Sequence, residues 1–215
     1  MQNINTILFD LDGTLVDSIK LIDVCFRETF KTHFPELKIT DEEFDSFNGP
    51  SLHYTFSHFK DTEDGINDMI KTYRDTYKRL ETEYVTLFDG VIEGLEYLYN
   101  NNYNLGIITT KFKEAAQPCL DRFNIRKYFT SFIYLDDVKT PKPAPDAVYN
   151  SLPNFTNVKE VLVVGDNLSD IMCGKNANTY TCGVTYSTKV DKLKELNPTF
   201  MIDKISDLIN ILKGE

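Results

Sequence analysis

The chain has 215 residues, and 33 Asp and Glu against 23 Lys and Arg give it a formal net charge of −10. That length supports one large domain, or one domain with an insertion, and a core that needs no disulfide. The acidic balance excludes nucleic acid and an anionic membrane surface as the main partner, and it makes an anionic substrate awkward without a metal or a local basic patch.

Residues 1–5 carry no basic stretch leading into a long apolar run, so no signal peptide is expected, and no apolar run approaches the roughly 20 residues that span a bilayer. Cys25, Cys119, Cys173 and Cys182 are scattered without a CxxC pair, which suits reduced thiols and a cytoplasmic protein. The first element is the apolar run Thr6–Phe9, a strand expected to be buried on both faces. It stops at Asp10-Leu11-Asp12-Gly13-Thr14. If the chain leaves the sheet at Leu11, both carboxylates face one crevice beyond the strand's C-terminal edge, where open α/β sheets bind ligands. Taken alone, the same string reads equally well as a surface Asp-Gly turn.

From 18 to 83 the pattern turns helical. Ile19, Ile22, Phe26 and Phe30 recur at helical spacing, Thr40-Asp41-Glu42-Glu43 has the form of a capping box, and Ile66, Met69, Ile70, Tyr73 and Tyr77 make another stripe. A helical insert of 17–84 is therefore expected after the first strand, joined to a core of 1–16 and 85–215 by hinges near 16–17 and 84–89. Gly49-Pro50-Ser51 falls between two of its helices, and the Gly-Pro pair marks a turn. Within the insert, Phe26, Phe30, Tyr73 and Tyr77 read as core, and His33 and His58 as surface or packing residues. His53, Arg74 and Lys78 lie where a second phosphate contact or a solvated helix face would explain them.

After the insert, strands expected at Asn104–Ile108, 131–135 and 160–164, with weaker ones at 180–184 and 199–202, alternate with helices at 91–99, 113–123, 145–152, 169–176 and 206–212. Such alternation predicts an α/β fold with a doubly wound parallel sheet. Polar signatures recur at the strand ends. Thr109-Thr110-Lys111 offers two hydroxyls and an amine, although Thr109 also reads as the N-cap of the next helix. In Thr140-Pro141-Lys142-Pro143, prolines fix the backbone around a lysine, which suits an ammonium that must meet an anion. Gly165-Asp166-Asn167-Leu168-Ser169-Asp170 places two acids at a third strand end, with Asp170 equally suited to a helix's first turn.

Four such signatures, in this order and over essentially the whole chain, resemble the haloacid dehalogenase-like (HAD) superfamily of phosphohydrolases, and the insert matches the position of that family's helical C1-type cap. The resemblance implies Asp10 as the nucleophile that forms an aspartyl-phosphate and Asp12 as the general acid/base. It implies Thr109, Thr110 and Lys142 on the phosphoryl oxygens and Gly13 as a hinge. It also implies Mg²⁺ held by Asp10, Asp166 and the backbone carbonyl of Asp12, with Asp170 behind these ligands or positioning Lys142. Asp12 sets the chain apart from the dehalogenase branch, where a halide leaves without a proton. The continuation from Gly13 to Ser18 resembles the phosphoglycolate phosphatase-like subgroup. The segments 47–57, 69–74 and 135–138 resemble the PpaX-type pyrophosphatases, linked also to a seryl-phosphorylated carrier protein. Inorganic pyrophosphate is therefore the leading expectation among small phosphorylated substrates, with Gly49 in a substrate-facing cap loop. The alternatives are phosphoglycolate or another small phosphomonoester, a mutase resembling β-phosphoglucomutase, and an inactive HAD-fold binding module.

Overall fold

The computed structural model of the chain describes residues 3–153 and 157–214; Met1 and Gln2, at the start of the N-terminal stretch read above, lie outside them. In chain order the elements are β1 (Thr6–Phe9), β2 (Val16–Asp17), α1 (Ile19–His33), α2 (Asp41–Ser46), α3 (Leu52–Phe56), α4 (Glu63–Tyr84), β3 (Thr86–Leu87), α5 (Val91–Asn100), β4 (Asn104–Ile108), α6 (Lys113–Arg122), β5 (Ser131–Ile133), α7 (Asp146–Ser151), β6 (Val161–Gly165), α8 (Leu168–Asn176), β7 (Tyr180–Val184), α9 (Val190–Glu195), β8 (Phe200–Ile202) and α10 (Leu208–Lys213). The chain divides into two compact units, Met1–Val16 with Leu87–Glu215, and Asp17–Thr86. The second crossing falls at 86/87 instead of the expected 84/85, because α4 ends at Tyr84 and the short strand β3 follows. No helix among the described residues is long and apolar enough to cross a membrane.

The α/β unit is built on a six-stranded sheet of order β5-β4-β1-β6-β7-β8. Every neighbouring pair is parallel. Apolar side chains at consecutive strand positions can be buried together only if both faces are covered, and Ile7, Leu8, Phe9, Leu105, Ile107, Ile108 and Val161 to Val164 all are. On one face, Ala147 and Val148 of α7, Cys173 of α8 and Ala177 just past its end pack with Leu8, Ile108, Val161 and Val163. From β1 the chain moves outward to β4 and β5, then returns to β6 on the other side of β1. That reversal is the topological switch point at which open α/β sheets form a binding crevice. The register aligns the strand ends there, with Phe9 opposite both Ile107 and Val164. β5 stops at Ile133, short of the expected 135, because the Tyr134 amide donates to the Asp137 carboxylate at 3.0 Å and turns the chain. All four cysteines are buried thiols.

The helical unit holds α1 to α4. Thr40 and Glu43 close a capping box at the start of α2. The inward face of α1 is Leu21, Cys25, Phe26, Thr29 and Phe30, so Ile19 and Ile22 of the expected stripe are only half-buried. Phe30 is the hub of a ring cluster, with centroids 5.9 Å from Phe44, 5.4 Å from Phe47, 6.0 Å from Phe56 and 4.7 Å from Phe59. From α4, Ile66, Met69, Tyr73 and Tyr77 are buried, whereas Ile70 is half-buried.

Candidate active site

Asp10 is the first residue past β1, and its amide continues the ladder by donating to the Val164 carbonyl at 2.9 Å. The chain then folds back tightly. The amides of Leu15 and Val16 both donate to the Leu11 carbonyl, at 3.0 and 2.9 Å, and that of Gly13 donates to Val16 at 2.8 Å. Gly13 has φ +86°, a left-handed conformation that favours glycine. A Cβ there would lie 2.4 Å from an Asp166 carboxylate oxygen. The Asp-Gly turn of the sequence is thus real, but it points into the crevice and leaves Asp10 buried.

Lys142 reaches the same place from the loop before α7. Its Nζ donates to Asp10 at 2.6 Å, to Asp170 at 2.5 Å and to the Ile108 carbonyl at 3.0 Å. Three acceptors match the three protons of an ammonium, so a side chain only 3 % exposed is fully satisfied. Asp166 follows β6; its carboxylate accepts from the Thr14 hydroxyl at 3.1 Å, and its carbonyl from the Ser187 hydroxyl at 2.6 Å. Asp170 serves both of the roles open to it. One oxygen takes Lys142, and the other accepts from the Asn167 amide at 2.9 Å as part of the capping box that starts α8. The backbone before α8 approaches closely, since a Cβ on Gly165 would lie 2.2 Å from the Asp170 Cβ.

The crevice also receives Thr109, just past β4. It is buried and its amide donates to the Ile133 carbonyl at 3.0 Å. It is not a helix cap, because α6 begins at Lys113 with Phe112 as its N-cap. Thr110 follows it, half-buried. Lys111 Nζ lies 3.0 Å from both carboxylate oxygens of Asp12. The sheet thus gathers Asp10, Asp12, Thr109, Thr110, Lys142, Asp166 and Asp170. Gly49 lies in the helical unit, between α2 and α3, with φ +118°.

Carboxylate oxygens of Asp10, Asp166 and Asp170 lie within 4.8 Å of one another, all buried. Burial pushes the Asp10 carboxyl up to about 7, with Lys142 opposing the shift and Asp170 and Asp12 adding to it. Asp166 is raised well above the usual carboxylate range by burial and by Asp170 and Asp10. Burial works against the Lys142 ammonium, but Asp10 and Asp170 outweigh it and hold its pKa above the ordinary lysine value. Converging carboxylates that resist ionisation together are what a hard divalent cation relieves, and an all-oxygen donor set fits Mg²⁺.

Sequence reasoning overlooked Tyr186 and Ser187. They follow β7, the neighbour of β6, in a segment with no charge to draw notice. Ser187 holds the Asp166 carbonyl, and the Tyr186 hydroxyl donates to the Thr14 carbonyl at 2.6 Å. The usable signal was positional: a hydroxyl-bearing loop, Thr185 to Thr188, at the end of the strand next to Asp166.

The profile of the haloacid dehalogenase-like hydrolases matches residues 7–184, which include every one of these strand-end residues except Tyr186 and Ser187. The chain belongs to that family, and within it is an enzyme of the phosphatase type. Among curated relatives, the Pyrophosphatase PpaX of Oceanobacillus iheyensis is 39 % identical over 213 residues, covering 98 % of each chain. The protein of that name from Listeria monocytogenes serotype 4b is 36 % identical over 214 residues, 99 % of this chain and 98 % of its own. A crystal structure described as a predicted phosphoglycolate phosphatase from Haemophilus somnus superposes with a TM-score of 0.85 at 24 % identity, covering 99 % of both chains, a likeness of fold.

Proposed function

We propose that the protein hydrolyses inorganic pyrophosphate in two steps through an aspartyl-phosphate on Asp10. The observation that carries this reading is the Lys142 ammonium set between Asp10 and Asp170 where three carboxylates converge. A nucleophilic carboxylate needs a dry, electropositive setting in which to meet a phosphoryl group, and Lys142 supplies the positive charge. Asp10 attacks phosphorus; the new oxygen–phosphorus bond forms as the bond to the leaving phosphate breaks, and Asp12 gives that oxygen its proton. Asp12, now ionised, takes a proton from water as its oxygen attacks phosphorus and releases Asp10. Thr109, Thr110 and Lys142 hold the phosphoryl oxygens throughout. Asp10, Asp166 and the backbone carbonyl of Asp12 would hold Mg²⁺, which neutralises charge on the phosphoryl oxygens when bound. Asp170 keeps Lys142 in place.

Pyrophosphate is favoured over other phosphorylated molecules because relatives named PpaX cover the full length at 36 % and 39 % identity. The comparisons lend no support to a carrier protein as substrate, so the reading stays with small molecules. A catalytically silent module is disfavoured by the intact set Asp10, Asp12, Lys142 and Asp166. We assign residues 17–86 the role of the family's cap, and Gly49 a part in substrate choice. The test is kcat/KM across pyrophosphate, phosphoglycolate and p-nitrophenyl phosphate with Mg²⁺. Pyrophosphate should rank first; a place near the bottom would remove the substrate assignment and leave the phosphatase.

A further inference from the structure

Lys111 has no part in the chemistry above, yet it is built into the crevice. Its Nζ meets both oxygens of Asp12 at 3.0 Å, and the two side chains are 12 % and 17 % exposed. A solvated ion pair contributes little and holds no geometry, whereas a largely enclosed two-pronged one fixes a carboxylate's direction. The backbone beneath the ammonium is also held. The Lys111 amide donates to the Thr109 hydroxyl at 3.1 Å, and its carbonyl accepts from the Leu135 amide at 3.2 Å. The two lysines divide the carboxylates, Lys142 taking Asp10 and Asp170 and Lys111 taking Asp12.

We propose that Lys111 is a positioning residue for Asp12 and sets the direction from which the leaving group receives its proton. The inference rests on the reading of Asp12 as the general acid. When Asp12 carries a proton on one oxygen, the other still accepts from Lys111, so the protonated oxygen keeps one orientation. In the first step the bond from Asp10 to phosphorus forms, the bond to the leaving oxygen breaks, and the Asp12 proton passes to that oxygen. A misdirected carboxyl slows this step only where the departing oxygen needs the proton. Contact between Lys111 and the phosphoryl group itself would give a different pattern, with loss on every substrate and a raised KM.

The experiment compares wild type, Lys111→Met, Lys111→Arg and Asp12→Asn on p-nitrophenyl phosphate, phenyl phosphate and ethyl phosphate, all with Mg²⁺. kcat/KM covers events up to leaving-group departure, and p-nitrophenolate departs without a proton. Lys111→Met should lose about tenfold or more on ethyl phosphate and less than about threefold on p-nitrophenyl phosphate, the scale expected when a catalytic group is displaced by an ångström or less. The loss should lie in kcat. Lys111→Arg, whose planar fork also spans a carboxylate, should recover most of it. Because each ratio is taken within one preparation, partial unfolding cancels. Equal losses on all three substrates overturn the positioning role. A flat response of Asp12→Asn across the series removes the acid reading, and the proposal falls with it. A steep response of Asp12→Asn beside a flat one of Lys111→Met overturns the proposal alone.

Discussion

In the α/β unit four ionisable residues are almost wholly enclosed, with whole-residue exposures of 7 % for Asp10, 8 % for Lys142, 5 % for Asp166 and 1 % for Asp170. In the helical unit the buried polar side chains among the described residues are uncharged, Ser18, Thr29, Thr55 and Thr76. Its ion pairs, such as Arg27 with Asp23 and Asp41 or Arg79 with Glu28, lie on the surface, and its core is a cluster of rings. Burying charge is unfavourable even when it is paired, whereas burying a ring is favourable outright. The first unit therefore gives up stability for chemistry, and the second holds its share of stability in packing that any well-filled core provides.

That contrast can be broken most directly at Asp10, the proposed nucleophile. Asp10→Asn should lower kcat about 10⁴-fold, while the melting temperature of the metal-free protein holds or rises, because one of three crowded carboxyls is gone. A marked fall in melting temperature would show that the cluster stabilises the unit after all. Lys142→Met leaves Asp10 and Asp170 without their shared partner and should cost about 3–5 kcal/mol in a denaturant titration. Phe30→Ala should cost a similar or slightly smaller amount, about 3–4 kcal/mol, through lost contacts and a cavity.

The smallest effect sharpens the contrast through pH. The Asp10 carboxyl is raised from 3.8 to about 7 in the metal-free fold, so the folded state holds a proton that the unfolded chain has released. Its contribution to stability is present below pH 4 and is lost as pH rises towards 7. Mg²⁺ competes with that proton, so the rise in melting temperature on adding Mg²⁺ should be larger at pH 8 than at pH 5, by about 1–2 kcal/mol in equivalent stability. EDTA should reverse it. Equal shifts at both pH values would detach the cation from this cluster.

The two units also differed in how far the sequence disclosed them. Strands buried on both faces announce themselves as apolar runs, and a buried carboxylate at a strand end is conspicuous because it is costly there. Asp10, Asp166 and Asp170 were legible for that reason, and Lys142 through the prolines that flank it. In the helical unit the register of α1 was read through Ile19 and Ile22, whereas Leu21 and Cys25 face inward. An apolar residue fits either side of a half-buried helix, so periodicity blurs by a residue or two. Helix α3, only five residues long, gave no stripe at all. Tyr186 and Ser187 stayed hidden because they act on backbone carbonyls. A hydroxyl bonded to a carbonyl leaves no partner residue type to look for.

The ribbon of β2 and β3 has a consequence for how such a chain can change. The polypeptide leaves the α/β unit at 16/17 and re-enters it at 86/87, in strands that are hydrogen-bonded to one another. The ends of the intervening segment are thus neighbours whatever lies between them. The entropy of closing a loop grows only logarithmically with its length, so lengthening or shortening this insertion by tens of residues shifts the closure term by less than about 1 kcal/mol. Residues 17–86 thus leave and rejoin the α/β unit at one closed point of the chain path. The register of β1, β4 and β6 rests on hydrogen bonds within the α/β unit, and the spacing of the buried charges follows from it.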